Sequence, residues 1–133
     1  MSIKERVRTG FTLIELIIVV IILGILASIG FIQFLKTIEK GRSAEARNIL
    51  GDIRSAQESY RLESGSYTTD TTLVNVTFPT SCTTTYFFSY SLAAASATAV
   101  RCTSGGKTPN VSSAYTITLS YSDGVWSGTT GYY

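Results

Sequence analysis

The chain is predicted to fold as an α+β protein, one long N-terminal α-helix whose second half packs on a small antiparallel β-sheet. Three observations lead there. Leu16 to Leu35 is an uncharged, predominantly apolar run. From Lys36 to Asp70 twelve of 35 residues are charged, with apolar residues recurring among them at helical spacing. From Thr71 onward only Arg101, Lys107 and Asp123 carry charge, and short alternating stretches rich in Ser, Thr, Tyr and Val take over.

The greasy run comes first. Its twenty positions make a helix of about 30 Å at ~1.5 Å per residue, the thickness of a bilayer's hydrocarbon core. Helical spacing continues beyond it, with Ala46, Ile49, Ile53, Ala56 and Tyr60 on one stripe and Glu45, Arg47, Asp52, Arg54, Glu58 and Arg61 around it. A single helix is expected from near Phe11 to near Glu63, stopped by Gly65. Sustained heptads are missing, which argues against a soluble coiled coil. In the last part, residues 86–92, 114–121 and 125–127 read as strands of a three- or four-stranded sheet. Ser122-Asp123-Gly124 is a hairpin turn and residues 105–110 a loop.

Composition excludes much chemistry. The 133 residues suffice for one ordinary domain. With no histidine, Ser-His and Cys-His nucleophilic sites and His-ligated zinc are impossible. Two cysteines cannot complete a four-thiolate centre within the chain. No catalytic, cofactor-binding or metal-binding residue is expected, and no enzyme. The net charge of +2 is too small for phosphate neutralisation on any scale. Arg101 and Lys107, with Tyr86 and Tyr90 nearby in sequence, are the candidates for a single-stranded DNA patch. Two cations are too few, so nucleic acid is not an expected partner.

The start of the chain is more informative. Lys4, Arg6 and Arg8 against Glu5 give residues 1–10 a net charge of +2, and the remainder is balanced. Basic residues before an apolar run are the general form of a secretory signal. Here, however, the run is long and lacks a small-x-small cleavage site, and Glu15 sits near its beginning. A carboxylate at mid-bilayer costs roughly 2.5–3.5 kcal/mol, less near an interface. Such a residue usually has a partner, and no Lys or Arg in the next twenty residues could serve.

Arg8-Thr9-Gly10-Phe11-Thr12-Leu13-Ile14-Glu15-Leu16 resembles the class III signal of type IV pilins and pseudopilins. Residues 56–67, at the helix end and the loop beyond it, are similar to the same family. The resemblance implies a leader, residues 1–10, removed by a prepilin peptidase between Gly10 and Phe11, and N-methylation of Phe11. It implies that Glu15 serves assembly, pairing with the new amino group of a neighbour. Residues 11–35 would be the membrane and filament-core helix, 36–65 its amphipathic half, and 66–133 the headgroup. Positive residues before Phe11 keep that end cytoplasmic and place the head outside the inner membrane, an oxidising compartment. Cys82 and Cys102 are therefore expected to form a disulfide closing a loop of about twenty residues, stabilising by ~3 kcal/mol on the loop-entropy model.

The expected partners are further copies of the chain in a helical filament, the peptidase, the inner-membrane assembly machinery, and lipid before assembly. The implied function is a structural subunit of an extracellular type IV pilus. A type II secretion pseudopilin, or a minor or DNA-uptake pilin, is the alternative. Major pseudopilins typically carry a C-terminal calcium site, which needs several oxygen ligands including carboxylates; beyond Asp70 this chain has only Asp123. It also departs from the family by carrying Ile32 where a proline is common, leaving Gly24 and Gly30 as the weak points of the helix.

Overall fold

A computed structural model describes residues 10–133. The leader charges at Lys4, Glu5, Arg6 and Arg8 lie outside the described residues. The chain forms two compact units, one ending at Ile38 and one comprising Glu39–Tyr133.

Helix α1 runs over Leu13–Ser64, 52 residues, without interruption at Gly24, Gly30 or Ile32. The Ser28 hydroxyl donates to the carbonyls of Gly24 and Ile25, both at 2.9 Å, within that stretch. The end of the helix follows the expected chemistry. Gly65 adopts φ +85°, which an L side chain resists, and its N–H donates to the Arg61 carbonyl at 2.8 Å.

In the first unit the large apolar side chains of α1 that are described, from Leu13 to Ile29 and at Phe31, Phe34 and Leu35, are exposed. An 18-residue window there has a mean hydropathy of 2.9 and none of it is buried. Such a surface requires lipid or other protein to cover it.

The second unit has its own core. Strands β1 (Phe88–Leu92), β2 (Ser96–Arg101), β3 (Thr116–Ser120) and β4 (Trp126–Gly128) form an antiparallel meander in that order. One face is apolar: Tyr90, Ala99 and Ile117 make one cross-strand row, and Leu92, Ala97, Leu119 and Trp126 the next. Ala46, Leu50 and Ile53 of α1 close over them, joined by Phe88, Tyr115 and Tyr121. Fully burying each of Leu50, Ile53 and Ile117 contributes ~1.5–3 kcal/mol before entropy is counted. The other face is hydroxyl-rich, with Ser91, Thr98, Thr118 and Ser127 aligned across all four strands. Thr98 and Thr118 share a hydrogen bond of 3.0 Å.

Strand β2 is absent from the three stretches read as strands from sequence. Its Ser-Ala-Thr-Ala-Val-Arg composition is poor in the residues that mark strands. Packing decides it. Ala97 and Ala99 are fully buried against the helix, where small side chains admit Ala46 and Leu50. The hairpin between β3 and β4 turns where expected, with Gly124 at φ +70° and the Asp123 carboxylate accepting the Val125 N–H at 3.1 Å. Gln57, fully buried on α1, both donates to the Thr68 carbonyl (2.7 Å) and accepts its N–H (3.0 Å). That fixes the chain leaving the helix.

Candidate functional site

Two constellations stand out, one at each unit. At the N-terminus of α1, Thr12 is the N-cap: its carbonyl accepts the Leu16 N–H at 3.3 Å, while its hydroxyl accepts the Glu15 N–H at 3.3 Å. The Glu15 carboxylate reaches back, and its Oε2 accepts both the Thr12 N–H and the Thr12 hydroxyl at 2.8 Å. This reciprocal pattern is a capping box. Glu15 thus has neutral hydrogen-bond partners three residues before it, while no cation among the described residues pairs with it. The signal was present as Thr-x-x-Glu ahead of an apolar run. Both bonds fall on Oε2, so Oε1 accepts nothing among the described residues and remains open to a further donor. Gly10 and Phe11 precede the cap, both exposed.

The second constellation lies inside the head. Arg101 is fully buried, and its Nε donates to Glu39 Oε1 at 2.5 Å. Its other nitrogens donate to the carbonyls of Phe87 (3.0 Å), Pro109 (2.8 Å) and Cys102 (3.4 Å). Glu39 also accepts the Tyr115 hydroxyl at 3.0 Å and Arg42 Nη1 at 2.6 Å. Burial pushes the Glu39 carboxyl upward, but donation from Arg101, Arg42 and Tyr115 outweighs it and holds the group below its ordinary range. Burial, with the charge of Glu39 beside it, pushes the Tyr115 phenol up. The Phe87 ring receives three cations, with Arg101 at 5.0 Å, Arg42 at 5.4 Å and Lys107 at 4.9 Å from its centroid.

This placement removes the candidate DNA patch. Arg101 and Tyr90 are both buried, leaving Lys107 as its only exposed charge. Arg101 instead ties the strand leading to Cys102 to the helix at Glu39. The Cys82–Cys102 disulfide forms as expected, with the Cα atoms 5.8 Å apart. Sequence reasoning missed the Glu39–Arg101 pair, since 62 residues separate the partners and neither lies in a motif. Among the described residues no three of His, Cys, Asp and Glu are grouped to hold a metal ion.

Neither constellation contains a nucleophile beside a base. The first is a helix terminus with an available carboxylate oxygen, followed by an uncovered apolar helix; the second is a structural clamp. Comparison with known proteins shows what such a helix resembles. Residues 6–31 match the family model described as the prokaryotic N-terminal methylation motif. The N-terminal half of the chain is similar to type IV pilins and pseudopilins. The type IV major pilin protein PilA of Myxococcus xanthus is 45% identical over 58 residues, 44% of this chain and 26% of that one. Fimbrial protein EcpC of Eikenella corrodens is 36% identical over 66 residues, 50% of this chain and 43% of EcpC. The type II secretion system core protein G of Vibrio cholerae is 41% identical over 66 residues, 50% and 45% of the two chains. The chain thus spans less than half the length of each of these relatives. These relatives are a pilin, a fimbrial protein and a secretion-system core protein, and the apolar helix of this chain suits membrane anchoring.

Proposed function

We propose that this chain is a structural subunit of an extracellular type IV pilus, held in the inner membrane before assembly with its head outside. Two observations carry the proposal: an exposed apolar helix headed by the Thr12–Glu15 box, and a head that buries its own core. In the proposed sequence, a peptidase cuts between Gly10 and Phe11, and the amine of Phe11 is methylated. The cationic amine of one subunit then meets Glu15 Oε1 of its neighbour. That contact leaves the Thr12 bonds on Oε2 in place, so the helix keeps its cap while the carboxylate gains a counter-charge. The apolar surfaces of adjacent helices cover one another, replacing lipid.

A pseudopilin shares every feature of this N-terminal half. The head supports the pilus reading: beyond Asp70 the only side-chain carboxylate is Asp123, and it is engaged in its own turn. The head carries the Cys82–Cys102 disulfide instead. The test is to shear filaments from the surface of the native cell and sequence the subunit. A chain beginning at N-methylated Phe11 is expected, and its gene's deletion should remove the filaments. Loss of protein secretion with surface filaments intact would overturn the pilus reading in favour of the pseudopilin.

A further inference from the structure

The head, Glu39–Tyr133, carries seven basic and seven acidic side chains, but the two signs are not distributed alike. The internal pairs are Glu39 with Arg101 and Arg42, and Glu58 with Arg61. Among the described residues, Asp52 and Glu63 make no ion pair or side-chain hydrogen bond, nor does Lys40. Arg47 has only a 3.4 Å bond to the Tyr132 carbonyl. All four side chains are exposed.

Their positions on α1 are systematic. At ~100° per residue, Asp52, Ser55, Ala56, Ser59, Tyr60 and Glu63 fall on one flank of the helix. With Leu73, Asn75 and Val76 of the following loop they line a surface groove of about 700 Å³. Its floor is apolar, from Ala56, Tyr60, Leu73 and Val76, and both its charges are negative. Lys40 and Arg47 project from the other flank, about 120–160° around the helix from Asp52 and Glu63. The core stripe of Ala46, Leu50 and Ile53 occupies the remaining side of the helix, away from that arc.

We infer that the groove is a contact between copies of the chain, in which Asp52 and Glu63 of one subunit receive Lys40 and Arg47 of the next. The occupant follows from charge and symmetry. A patch on one flank that complements a different patch on the other flank is heterologous. Repeated, such a contact generates a helical filament rather than a closed dimer. An isologous pairing would instead set Asp52 and Glu63 against themselves. The apolar floor supplies burial, and the opposed charges fix which flank meets which and penalise the reversed orientation. The inference rests on the filament reading, and it names a second determinant of assembly, outside the membrane and independent of Glu15.

The test uses full-length chains. Charge reversal in the groove (Asp52→Lys with Glu63→Lys) or on the opposite flank (Lys40→Glu with Arg47→Glu) should lower surface filaments by roughly tenfold or more. Processed, disulfide-bonded subunit should stay at its normal level in the membrane. Combining all four substitutions should restore filaments to within about twofold of wild type. Unaffected filaments in either double variant, or no recovery in the fourfold variant, would overturn the contact. A second measurement does not depend on filaments. Chains carrying Asp52→Cys and chains carrying Lys40→Cys, mixed in the membrane and oxidised, should cross-link to each other in preference to themselves. Cross-linking without filaments would sink the pilus reading but keep the contact. Filaments without cross-linking would do the reverse. Capture of the groove by a different protein in place of this cross-link would likewise refute the proposal.

Discussion

Replacing Glu39 by alanine removes the carboxylate that pairs with Arg101. The guanidinium is fully buried and cannot turn outward to water. It keeps its bonds to the carbonyls of Phe87, Pro109 and Cys102, so its N–H groups are largely satisfied, but its charge is left without a counter-ion. Breaking a buried pair from one side costs ~3–5 kcal/mol. Glu39 retains a side-chain exposure of 12%, through which some water can reach the vacated space, so the lower end of that range applies. The loss of the Tyr115 bond, about 1 kcal/mol, is part of the same total. For a head with a stability of ~5–15 kcal/mol, about 3 kcal/mol is a large fraction. Urea titration of the full chain in detergent, followed by Trp126 fluorescence, should show the midpoint fall by ~1–3 M at an unchanged slope. The double variant Glu39→Ala with Arg101→Met should recover much of the loss, since it removes the stranded charge. A midpoint moved by less than about 0.3 M in Glu39→Ala would refute the reasoning, showing the pair to be solvated in effect. Acid should act in the same direction. Because the folded Glu39 carboxyl titrates below its unfolded value of about 4.5, its contribution is complete above that pH and is lost as the pH falls further.

The other predictions concern the N-terminus and the disulfide. Gly10→Val should accumulate unprocessed precursor in the membrane, because a branched side chain obstructs the extended backbone a peptidase must bind; mature protein appearing at the normal rate, by N-terminal sequencing, would place the cut elsewhere. Glu15→Ala should be processed and membrane-stable but assemble poorly, and normal filament numbers by electron microscopy would exclude its pairing with a neighbour's amine. Thr12→Ala removes the cap and costs the helix end ~0.5–2 kcal/mol, so hydrogen exchange at Ile14, Glu15 and Leu16 in micelles should accelerate. Cys82→Ser with Cys102→Ser should lower the head's stability by ~3 kcal/mol, read as a lower urea midpoint; an unchanged midpoint would show the closed loop to be ordered without the bond.

Much of this protein is legible along the chain because its determinants are local. The apolar run, the charge-free span, the stripe ending at Tyr60 and the Gly65 stop fix one helix, since a 3.6-residue period and a φ > 0 stop are properties of neighbouring residues. The Gly-Phe-Thr-Leu-Ile-Glu segment places the cleavage and assembly candidates for the same reason. Even the capping box was written there, as Thr12 and Glu15 three residues apart. The tertiary structure decided the rest. It made a strand of Ser96–Arg101, whose alanines have little β preference of their own but fit beneath α1. It also turned Arg101 from an apparent surface cation into the buried counterpart of Glu39, 62 residues away. No local pattern encodes either outcome. Both depend on which segments the fold brings together, and on the cost of burying a charge or a void at the place where they meet.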